Sequence, residues 1–571
     1  MKRLQGIAAI ATVAIVGLAG CTSSSANSAH KRAGTQNATQ SGHRGGTLNL
    51  LTLDNPGSID TAINYGTAWA EEDVVYDGLV AYRKTAAAAG TKLVPDLATA
   101  IPKPTDGGKT YAFTLRRQIR YSTGTTLKPS DVTNTFERMF KVQGPTAGAF
   151  YHGIVGAPAC LAKPATCDLA KGVVADNAAN MVTFHLLAPD GEFLDKLALA
   201  FAFVVPGTVP NTDGGNNARP GTGPYKFAEY TPNKQIRLVR NSYFKQWSAP
   251  AQPAGYPDEI LLKFALPIEA EITQVENNQA DGVVSAESLP ADQLNELSTT
   301  YAAQTHLNPA TALFYMALNV RVPPFNNLKV RQALNYAADR AALVQIQGGT
   351  KLAVPSCQVL PPSFPGYQQY CPYTASPAPD GHGPWTAPDM AKARQLVTAS
   401  GTKGQSVAIV NPNTPLGKST GVYFQGLLQT LGYKVSLKLL SPQVANTFVK
   451  DSRHKVQITT TIWYQDYQAA SDFLVVLTGC SGFQPNSGAN ANISEFCDRK
   501  IQPDMDRALA LQSRDPAGAE QLWAKVDREV TDQAPIVAMF NPKVVTFVSK
   551  RLGNFQYNPQ WGPLWDQVWV Q

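Results

Sequence analysis

Residues 313–344 predict a buried strand followed directly by an amphipathic helix, and this pairing constrains the fold more than any other part of the chain. Residues 313–320 form an almost continuous apolar and aromatic run, which is typical of a strand buried on both faces. Two prolines then end the strand. Apolar side chains recur at helical spacing over residues 330–344, and Asn326 or Asn327 can cap that helix. A strand and a helix in this order are typical of an α/β fold.

The length and composition of the chain predict at least two lobes. A chain of 571 residues exceeds what one hydrophobic core usually serves, and its 44% of hydrophobic residues can fill more than one core. Strands at 407–410 and 434–439 alternate with helices at 390–399 and 422–431, which predicts α/β lobes with substantial parallel pairing. The formal charge is +7, but Lys and Arg form no runs. We therefore expect no nucleic-acid partner.

The N-terminus predicts export. A positively charged start precedes apolar residues 7–18, a segment shorter than the roughly 20 residues of a membrane-spanning helix. We expect residues 1–20 to be a secretory signal peptide. Residues 18–21, Leu-Ala-Gly-Cys, resemble the lipobox of bacterial lipoproteins. This implies that Cys21 is lipidated and that residues 21–44 form a flexible tether; an ordinary signal peptide cut near Cys21 is the alternative.

Six cysteines follow Cys21, and they fall into three pairs of close neighbours in the sequence. The pairs are Cys160 and Cys167, Cys357 and Cys371, and Cys480 and Cys497. In an exported chain we expect three short-range disulfides, although six cysteines allow fifteen pairings. A metal site is the weaker interpretation, because the sequence has no Cys-x-x-Cys and no histidine at ligand spacing to a cysteine. We expect no metal.

Common catalytic motifs are absent from the sequence. The chain has neither Gly-x-Ser-x-Gly nor His-Glu-x-x-His. Residues 412–419, PNTPLGKS, come close to a phosphate-binding loop, but Pro412 stands where that loop needs a glycine amide. We expect neither an enzyme nor a cofactor. Because the carboxylate pair of a glycosidase is defined by separation in space, a secreted hydrolase stays open as an alternative.

Five segments, in chain order, resemble the successive signatures of one protein family. They are Val75-Tyr76-Asp77-Gly78-Leu79, Leu93-Val94-Pro95-Asp96-Leu97-Ala98, the strand ending at Arg116 with Tyr121-Ser122 and Gly124-Thr125, Gly221-Thr222-Gly223-Pro224-Tyr225, and Pro323-Pro324-Phe325 through Arg331-Gln332-Ala333 to Asp339-Arg340. The family is that of the family 5 extracellular solute-binding proteins, the oligopeptide- and dipeptide-binding components of ABC importers. The resemblance runs over nearly the whole mature chain, so it is far more specific than any one motif.

The resemblance implies a fold of the type II periplasmic-binding-protein kind, in which two α/β lobes joined by a hinge close over a ligand. Lobe I would be built from residues 45–80, 201–309 and 541–571, with an extra subdomain at residues 81–200. Lobe II would be residues 310–540.

The resemblance also implies a function. The chain would be a monomeric receptor, held by a lipid at Cys21 on the outer face of the cytoplasmic membrane, that captures a small solute and delivers it to ABC permease subunits. A peptide is the favoured solute, and a nickel complex or a sugar is the alternative. A sensor that signals without transport is a further alternative.

Residues 462–467, Ile-Trp-Tyr-Gln-Asp-Tyr, resemble the family stretch in which an aspartate pairs with the α-ammonium group of a bound peptide. This implies ligand-binding roles for Asp466, Trp463 and Tyr467, because a carboxylate in a closing cleft needs a cationic partner. The alternative is that Asp466 caps a turn and Trp463 belongs to the core. The family commonly has Asp-Pro where this chain has Ala469-Ala470, so the local turn departs from the family pattern.

Three further places are weaker candidates for ligand contact. Residues 64–69 are expected near the edge of lobe I, and Tyr315 and Asn319 near the hinge. Ordinary packing is the competing interpretation for each.

Overall fold

The computed structural model describes residues 43–52, 56–65, 69–144, 147–264, 266–285, 291–488 and 490–571. The predicted signal peptide, Cys21 and all but the last two residues of the predicted tether lie outside these ranges. Residues His43–Gln571 form one compact unit. Within the described ranges, every helix is too short or too polar to cross a membrane.

In chain order, the strands of the described residues are β1 (Thr47–Thr52), β2 (Val80–Tyr82), β3 (Leu93–Pro95), β4 (Thr110–Thr114), β5 (Val173–Asp176), β6 (Met181–His185), β7 (Tyr225–Thr231), β8 (Gln235–Arg240), β9 (Glu259–Phe264), β10 (Gly282–Ser285), β11 (Thr305–Pro309), β12 (Ala312–Leu318), β13 (Ala353–Pro355), β14 (Ser406–Pro412), β15 (Lys434–Leu440), β16 (Ile458–Tyr464), β17 (Ile536–Val548), β18 (Leu552–Gly553), β19 (Tyr557–Asn558), β20 (Gly562–Pro563) and β21 (Trp569–Val570).

The α-helices follow in the same order. They are α1 (Trp69–Glu72), α2 (Pro129–Lys141), α3 (Ala147–Phe150), α4 (Ala157–Ala162), α5 (Phe193–Leu197), α6 (Ile268–Glu276), α7 (Ala291–Thr299), α8 (Leu328–Ala337), α9 (Arg340–Gln347), α10 (Met390–Ser400), α11 (Pro415–Thr430), α12 (Pro442–Lys450), α13 (Ser471–Thr478), α14 (Gln502–Leu511) and α15 (Pro516–Gln533). Short 3-10 helices lie at Ala87–Thr91, Asp106–Gly108, Pro164–Thr166, Ala200–Ala202, Ser452–His454 and Trp565–Gln567.

One continuous sheet runs through both lobes. Its strand order is β15-β14-β16-β12-β17-β10-β1-β9-β8-β7, and β11 and β13 also pair with β17. Pairing is parallel between β14 and its neighbours β15 and β16, and between β1 and its neighbours β9 and β10. The other pairs of this sheet are antiparallel. The predicted α/β lobes are therefore present, with parallel pairing confined to part of the sheet in each lobe.

Strand β17 pairs with strands of both predicted lobes. Its first half pairs with β12 of lobe II, and its second half pairs with β10 and β11 of lobe I. The chain also crosses between the lobes where β11 leads into β12, and Pro309 lies opposite Lys543 at that point. The amide of Ala310 donates to the carbonyl of Pro542 at 3.0 Å, and Asn541 Nδ2 donates to the carbonyl of Ala312 at 2.9 Å. These two adjacent segments, residues 309–312 and 540–543, lie side by side where the strands predicted for lobe I meet those predicted for lobe II.

Strand β12 is buried on both faces, as its uninterrupted apolar sequence predicts. Met316 and Leu318 pack in one core cluster together with the inner faces of α8 and α9. Leu313, Tyr315 and Ala317 point the other way, into a second cluster that includes residues of α13 and α15. The alternation follows from the two-residue period of a strand, and it places helices on both sides of the lobe II sheet.

The single helix expected at residues 330–344 is two helices. Asn327 caps α8 by accepting a hydrogen bond from the amide of Lys329 at 3.0 Å. The chain then leaves helical geometry at Ala338, and Asp339 caps α9 through the amide of Ala342 at 3.0 Å. Apolar spacing alone did not reveal the break, because the buried side chains keep the same period on both sides of it.

Three helices differ from what their local sequence predicts. The apolar residues Val74, Val75 and Leu79 predict a helix, but α1 ends at Glu72 and the buried residues after it lead into β2. Ser130 or Asp131 could cap a helix, but α2 begins earlier, with Lys128 as its N-cap. Residues 274–284 predict a helix, but α6 ends at Glu276.

A separate three-stranded sheet, in the order β4-β6-β5, packs with α2 inside residues 81–200, the range expected for the extra subdomain. Three disulfides join the sequence-local cysteine pairs. They are Cys160–Cys167, Cys357–Cys371 and Cys480–Cys497, with sequence separations of 7, 14 and 17 residues.

Candidate functional site

The turn between β16 and α13 carries Asp466 and Tyr467 at the contact between the two lobes. The amide of Asp466 donates to Oδ2 of Asp472 at 2.8 Å, and the amide of Ala469 donates to the carbonyl of Tyr467 at 2.8 Å. Asp472 lies in the first turn of α13, where the helix dipole favours a negative charge. Asp472 thus holds the turn in a chain that has Ala469-Ala470 in place of Asp-Pro.

The carboxylate and the backbone of Asp466 both contact lobe I. Oδ1 accepts a hydrogen bond from the hydroxyl of Tyr65 at 2.7 Å, and the carbonyl accepts one from Gln560 Nε2 at 2.7 Å. The residue before it, Gln465, reaches across as well, donating from Nε2 to the carbonyl of Pro559 at 2.8 Å. Asp466 is 6% exposed and Tyr65 is 46% exposed. The acid is therefore covered by a side chain that faces solvent.

Among the described residues, no basic side chain forms an ion pair with Asp466 or Asp472. Burial raises the pKa of Asp466 to about 6, against the opposing hydrogen bond from Tyr65. Burial raises the pKa of Asp472 well above its usual range, and the charge of Asp466 raises it further. Since desolvation penalises the charged forms, the pair would be stabilised by a cation placed beside it.

Aromatic rings surround this acid on the lobe I side. The rings of Tyr65, Trp69 and Phe201 contact one another with centroid distances of 5.5 to 5.9 Å. Phe150 stacks on Phe201 at 5.8 Å and meets Tyr467 of lobe II edge to face at 6.1 Å. Asp466 therefore lies beside a cluster of rings and is itself buried, and charge interactions at a buried site are stronger than they are in bulk solvent.

A second contact between the lobes lies immediately beyond Tyr467. Glu192, at the start of α5, accepts hydrogen bonds from the Tyr467 hydroxyl at 3.0 Å and from the Ser471 hydroxyl. Glu192 is buried, and Lys196 Nζ lies 4.0 Å from Oε2 of Glu192. Neither Glu192 nor Ser471 was predicted from the sequence, because nothing in either local sequence marks them.

The structure separates the predicted contact residues into two groups. Asp466 and Tyr467 lie together between the lobes, with Tyr65 of residues 64–69 beside them. Trp463 is opposite Leu313 in the lobe II sheet and packs against the lobe II core, with its indole beside Asp472. Tyr315 is buried in that core, and Asn319, beyond the far end of β12, donates to Glu495 at 2.9 Å. The structure therefore does not bring Tyr315 or Asn319 to the Asp466 turn.

Residues of the segments that resemble the family mostly have structural roles inside the lobes. Asp77 accepts hydrogen bonds from the Thr222 hydroxyl and from Gln252 Nε2, inside lobe I. In lobe II the buried Arg340 donates to the carbonyls of Ser356 at 2.7 Å and Ala538 at 3.0 Å. Both networks lie in the interior of a lobe, so these residues specify the scaffold on which the Asp466 turn is placed.

Comparison with known families identifies the chain. Residues 92–485 match the family described as bacterial extracellular solute-binding proteins, family 5 Middle. The chain belongs to this family. Its members are extracytoplasmic, and the fold is the two-lobed type II fold.

Individual family 5 proteins are similar over nearly the whole chain. A di/tripeptide-binding protein of Pseudomonas aeruginosa is 24% identical over 545 residues, which cover 90% of this chain and 93% of the relative. The clavulanic acid biosynthesis oligopeptide binding protein 2 superposes with a TM-score of 0.82 at 24% identity, covering 92% of this chain and 96% of the other. The Helicobacter pylori protein DppA, solved in complex with the peptide STSA, superposes with a TM-score of 0.71 at 19% identity, covering 92% and 98%.

Proposed function

We propose that this family 5 protein captures a small peptide between its lobes and delivers it to the permease subunits of an ABC importer. The observation that carries the proposal is the buried Asp466, which lies at the lobe contact with a second carboxylate and without a basic partner among the described residues. The α-ammonium group of a peptide would supply the missing positive charge. A sugar would not, because it is neutral. The similarity to a di/tripeptide-binding protein supports the same ligand class.

In this mechanism Asp466 binds as the carboxylate. An ammonium group beside Oδ2 stabilises the charged form and lowers the pKa of Asp466, so the ligand-bound acid is ionised at neutral pH. Tyr65 donates to the other oxygen, and the aromatic rings of lobe I keep water away from the pair. A ligand held this way binds the closed form better than the open form, and that difference in affinity closes the lobes.

The lobe boundaries at residues 309/310 and 540/541 and the monomeric state belong to this proposal. So does lipidation of Cys21, which would hold the receptor at the outer face of the membrane. Labelled palmitate should enter the wild-type chain and not the Cys21→Ser variant. Equal labelling of both would contradict the anchor without affecting the ligand assignment.

A thermal-shift screen of the chain from residue 22 tests the ligand class. Di- to hexapeptides, sugars and metal chelates are compared, and a ligand at 100 times its Kd should add about 2.7 kcal/mol of stability. We expect peptides with free amino termini to stabilise the protein, and N-acetylated peptides to fail. Stabilisation by sugars or chelates alone would overturn the peptide assignment.

Mass spectrometry of the same mixtures distinguishes a receptor from a hydrolase. A receptor returns the bound peptide intact after prolonged incubation. Cleaved peptide that accumulates with time, and in proportion to the protein added, would favour the hydrolase.

A further inference from the structure

Glu192 joins the extra subdomain region of lobe I to the ligand-binding turn of lobe II. Both of its carboxylate oxygens are used: one accepts from the Tyr467 hydroxyl at 3.0 Å and the other from the Ser471 hydroxyl. These two donors flank the turn that begins at Asp466. Glu192 therefore contacts the same short segment that carries the proposed ammonium-binding acid, from the opposite lobe.

The surroundings of Glu192 make this contact a specific one. Glu192 is 1% exposed, so its oxygens are shielded from bulk water. The charged groups facing it are Lys196, at 4.0 Å, and the acids Asp190, Asp195 and Asp472. Lys196 is shared, since its Nζ lies only 2.8 Å from Asp190. The two hydroxyls are thus the main hydrogen-bond donors to a buried carboxylate, and their loss would leave that carboxylate poorly compensated.

The contact is separate from residues 309–312 and 540–543, the proposed connection between the lobes. The amide of Gln465 donates to the carbonyl of Thr311 at 2.9 Å, whereas Tyr467 and Ser471, later in the chain, contact Glu192. Glu192 precedes α5, which packs in the lobe I core, whereas Ser471 begins α13, which packs in the lobe II core. Rotation of the lobes about their connection would separate the two and return the carboxylate to water. A charged group that is hydrogen-bonded only in the closed form shifts the equilibrium toward that form.

We propose that Glu192 is a positioning residue that holds the lobes closed by binding Tyr467 and Ser471, and so couples the extra subdomain to the ligand-binding turn. The proposal depends on the two-lobed fold and on the contact itself. It does not depend on the identity of the ligand. The Glu192 proposal can therefore fail while the peptide assignment stands, and the peptide assignment can fail while the Glu192 proposal stands.

The experiment measures lobe closure without any ligand. Single-molecule energy transfer is recorded between dyes on unnatural amino acids at two exposed positions, Lys171 in the subdomain and Lys500 in lobe II. The closed-to-open ratio should fall about tenfold or more in Glu192→Gln, because hydrogen bonds to a buried charge are among the stronger ones. Ser471→Ala and Tyr467→Phe should each shift the ratio in the same direction.

A mutant cycle and a matched control make the test decisive. The double variant Glu192→Gln/Ser471→Ala should open the lobes no further than the larger of the two single effects, because the bond that Ser471→Ala removes is one of the two that Glu192→Gln weakens. Glu137→Gln, the same chemical change in α2 of the subdomain, where Glu137 pairs with Lys141, should leave the ratio unchanged. Additive effects in the double variant, or an unchanged ratio in all three single variants, would overturn the proposal. The lobe II variants test the same contact if Glu192→Gln fails to fold.

Discussion

The amide of Asp466 donates to the carboxylate of Asp472 at 2.8 Å, so one buried acid fixes the backbone of another. Asp472 affects both the position of Asp466 and its ionisation. Asp472 sets the direction in which Asp466 faces lobe I, and its proximity makes full ionisation of both acids unfavourable. A ligand cation would relieve that repulsion, which is why a pair that costs stability in the free protein can favour binding.

Replacing Asp466 by asparagine should separate binding from stability. The amide keeps the size of the side chain but removes the charge, so peptide affinity should fall by roughly 1.5–3 kcal/mol while the free protein becomes no less stable. Calorimetric titration and denaturant unfolding measure the two quantities. Asp176→Asn, at an exposed end of β5, is the control and should change neither. Unchanged affinity in the Asp466 variant would remove Asp466 from the site.

Peptide affinity should depend on pH through Asp466. In the free protein its pKa is about 6, and ammonium binding needs the carboxylate. Protonation competes with the ligand as the pH falls below that value, so affinity should drop by up to about tenfold per pH unit between pH 6 and pH 5. In Asp466→Asn this dependence should be absent. A wild-type affinity that stays constant from pH 7 to pH 5 would contradict the assignment.

The free energy of unfolding should fall as the pH rises from about 4, where an aspartate ionises in the unfolded chain, to about 7, where Asp527 ionises in the folded protein. Asp527 is buried in lobe II, and burial raises its pKa to about 7 despite hydrogen bonds from Gln358 and from the amides of Val359 and Leu360. The folded state therefore holds a proton that the unfolded state has released above about pH 4. Between about pH 4 and pH 7 this acid lowers the unfolding free energy by up to about 1.4 kcal/mol per pH unit.

Urea unfolding from pH 4.5 to pH 7.5 checks this sign. Asp527→Asn should reduce the dependence of the unfolding free energy on pH by an amount that corresponds to the uptake of up to one proton. Asp176→Asn should leave this pH dependence as it is in the wild type. A slope in Asp527→Asn equal to that of the wild type would show that Asp527 does not titrate in this range.

Arg340 should be essential to the stability of lobe II. Its guanidinium is fully buried and donates to Ser356, Ala538 and both oxygens of Asn335. Arg340→Ala leaves these acceptors without a donor, which should cost roughly 3 kcal/mol or more in the free energy of unfolding. Arg340→Lys should recover only part, because an ammonium group cannot reach a planar set of acceptors. Arg394→Ala, on the exposed face of α10, should cost little; an equal loss in both would contradict the role of Arg340.

Strand β12 and the Asp466 turn show how far the sequence predicts this molecule. An uninterrupted apolar run specifies burial on both faces, so β12 was predictable from its own residues. The role of Asp466 rested on a resemblance, since a lone aspartate after a strand is as often a turn cap. Its partner Tyr65 lies 401 positions away in the chain, and Tyr467 and Glu192 are 275 positions apart. Contacts over such separations come from the way the lobes close, which no local pattern encodes.

The path of β17 sets an order for the assembly of the molecule. This strand follows all the other strands of the large sheet in the sequence, yet it lies in the interior of that sheet, between the strands predicted for the two lobes. During synthesis, or during passage through a narrow export channel, neither sheet can be completed until the last part of the chain has emerged. Both halves of the sheet are therefore completed by the same strand, after all of their other strands have been made.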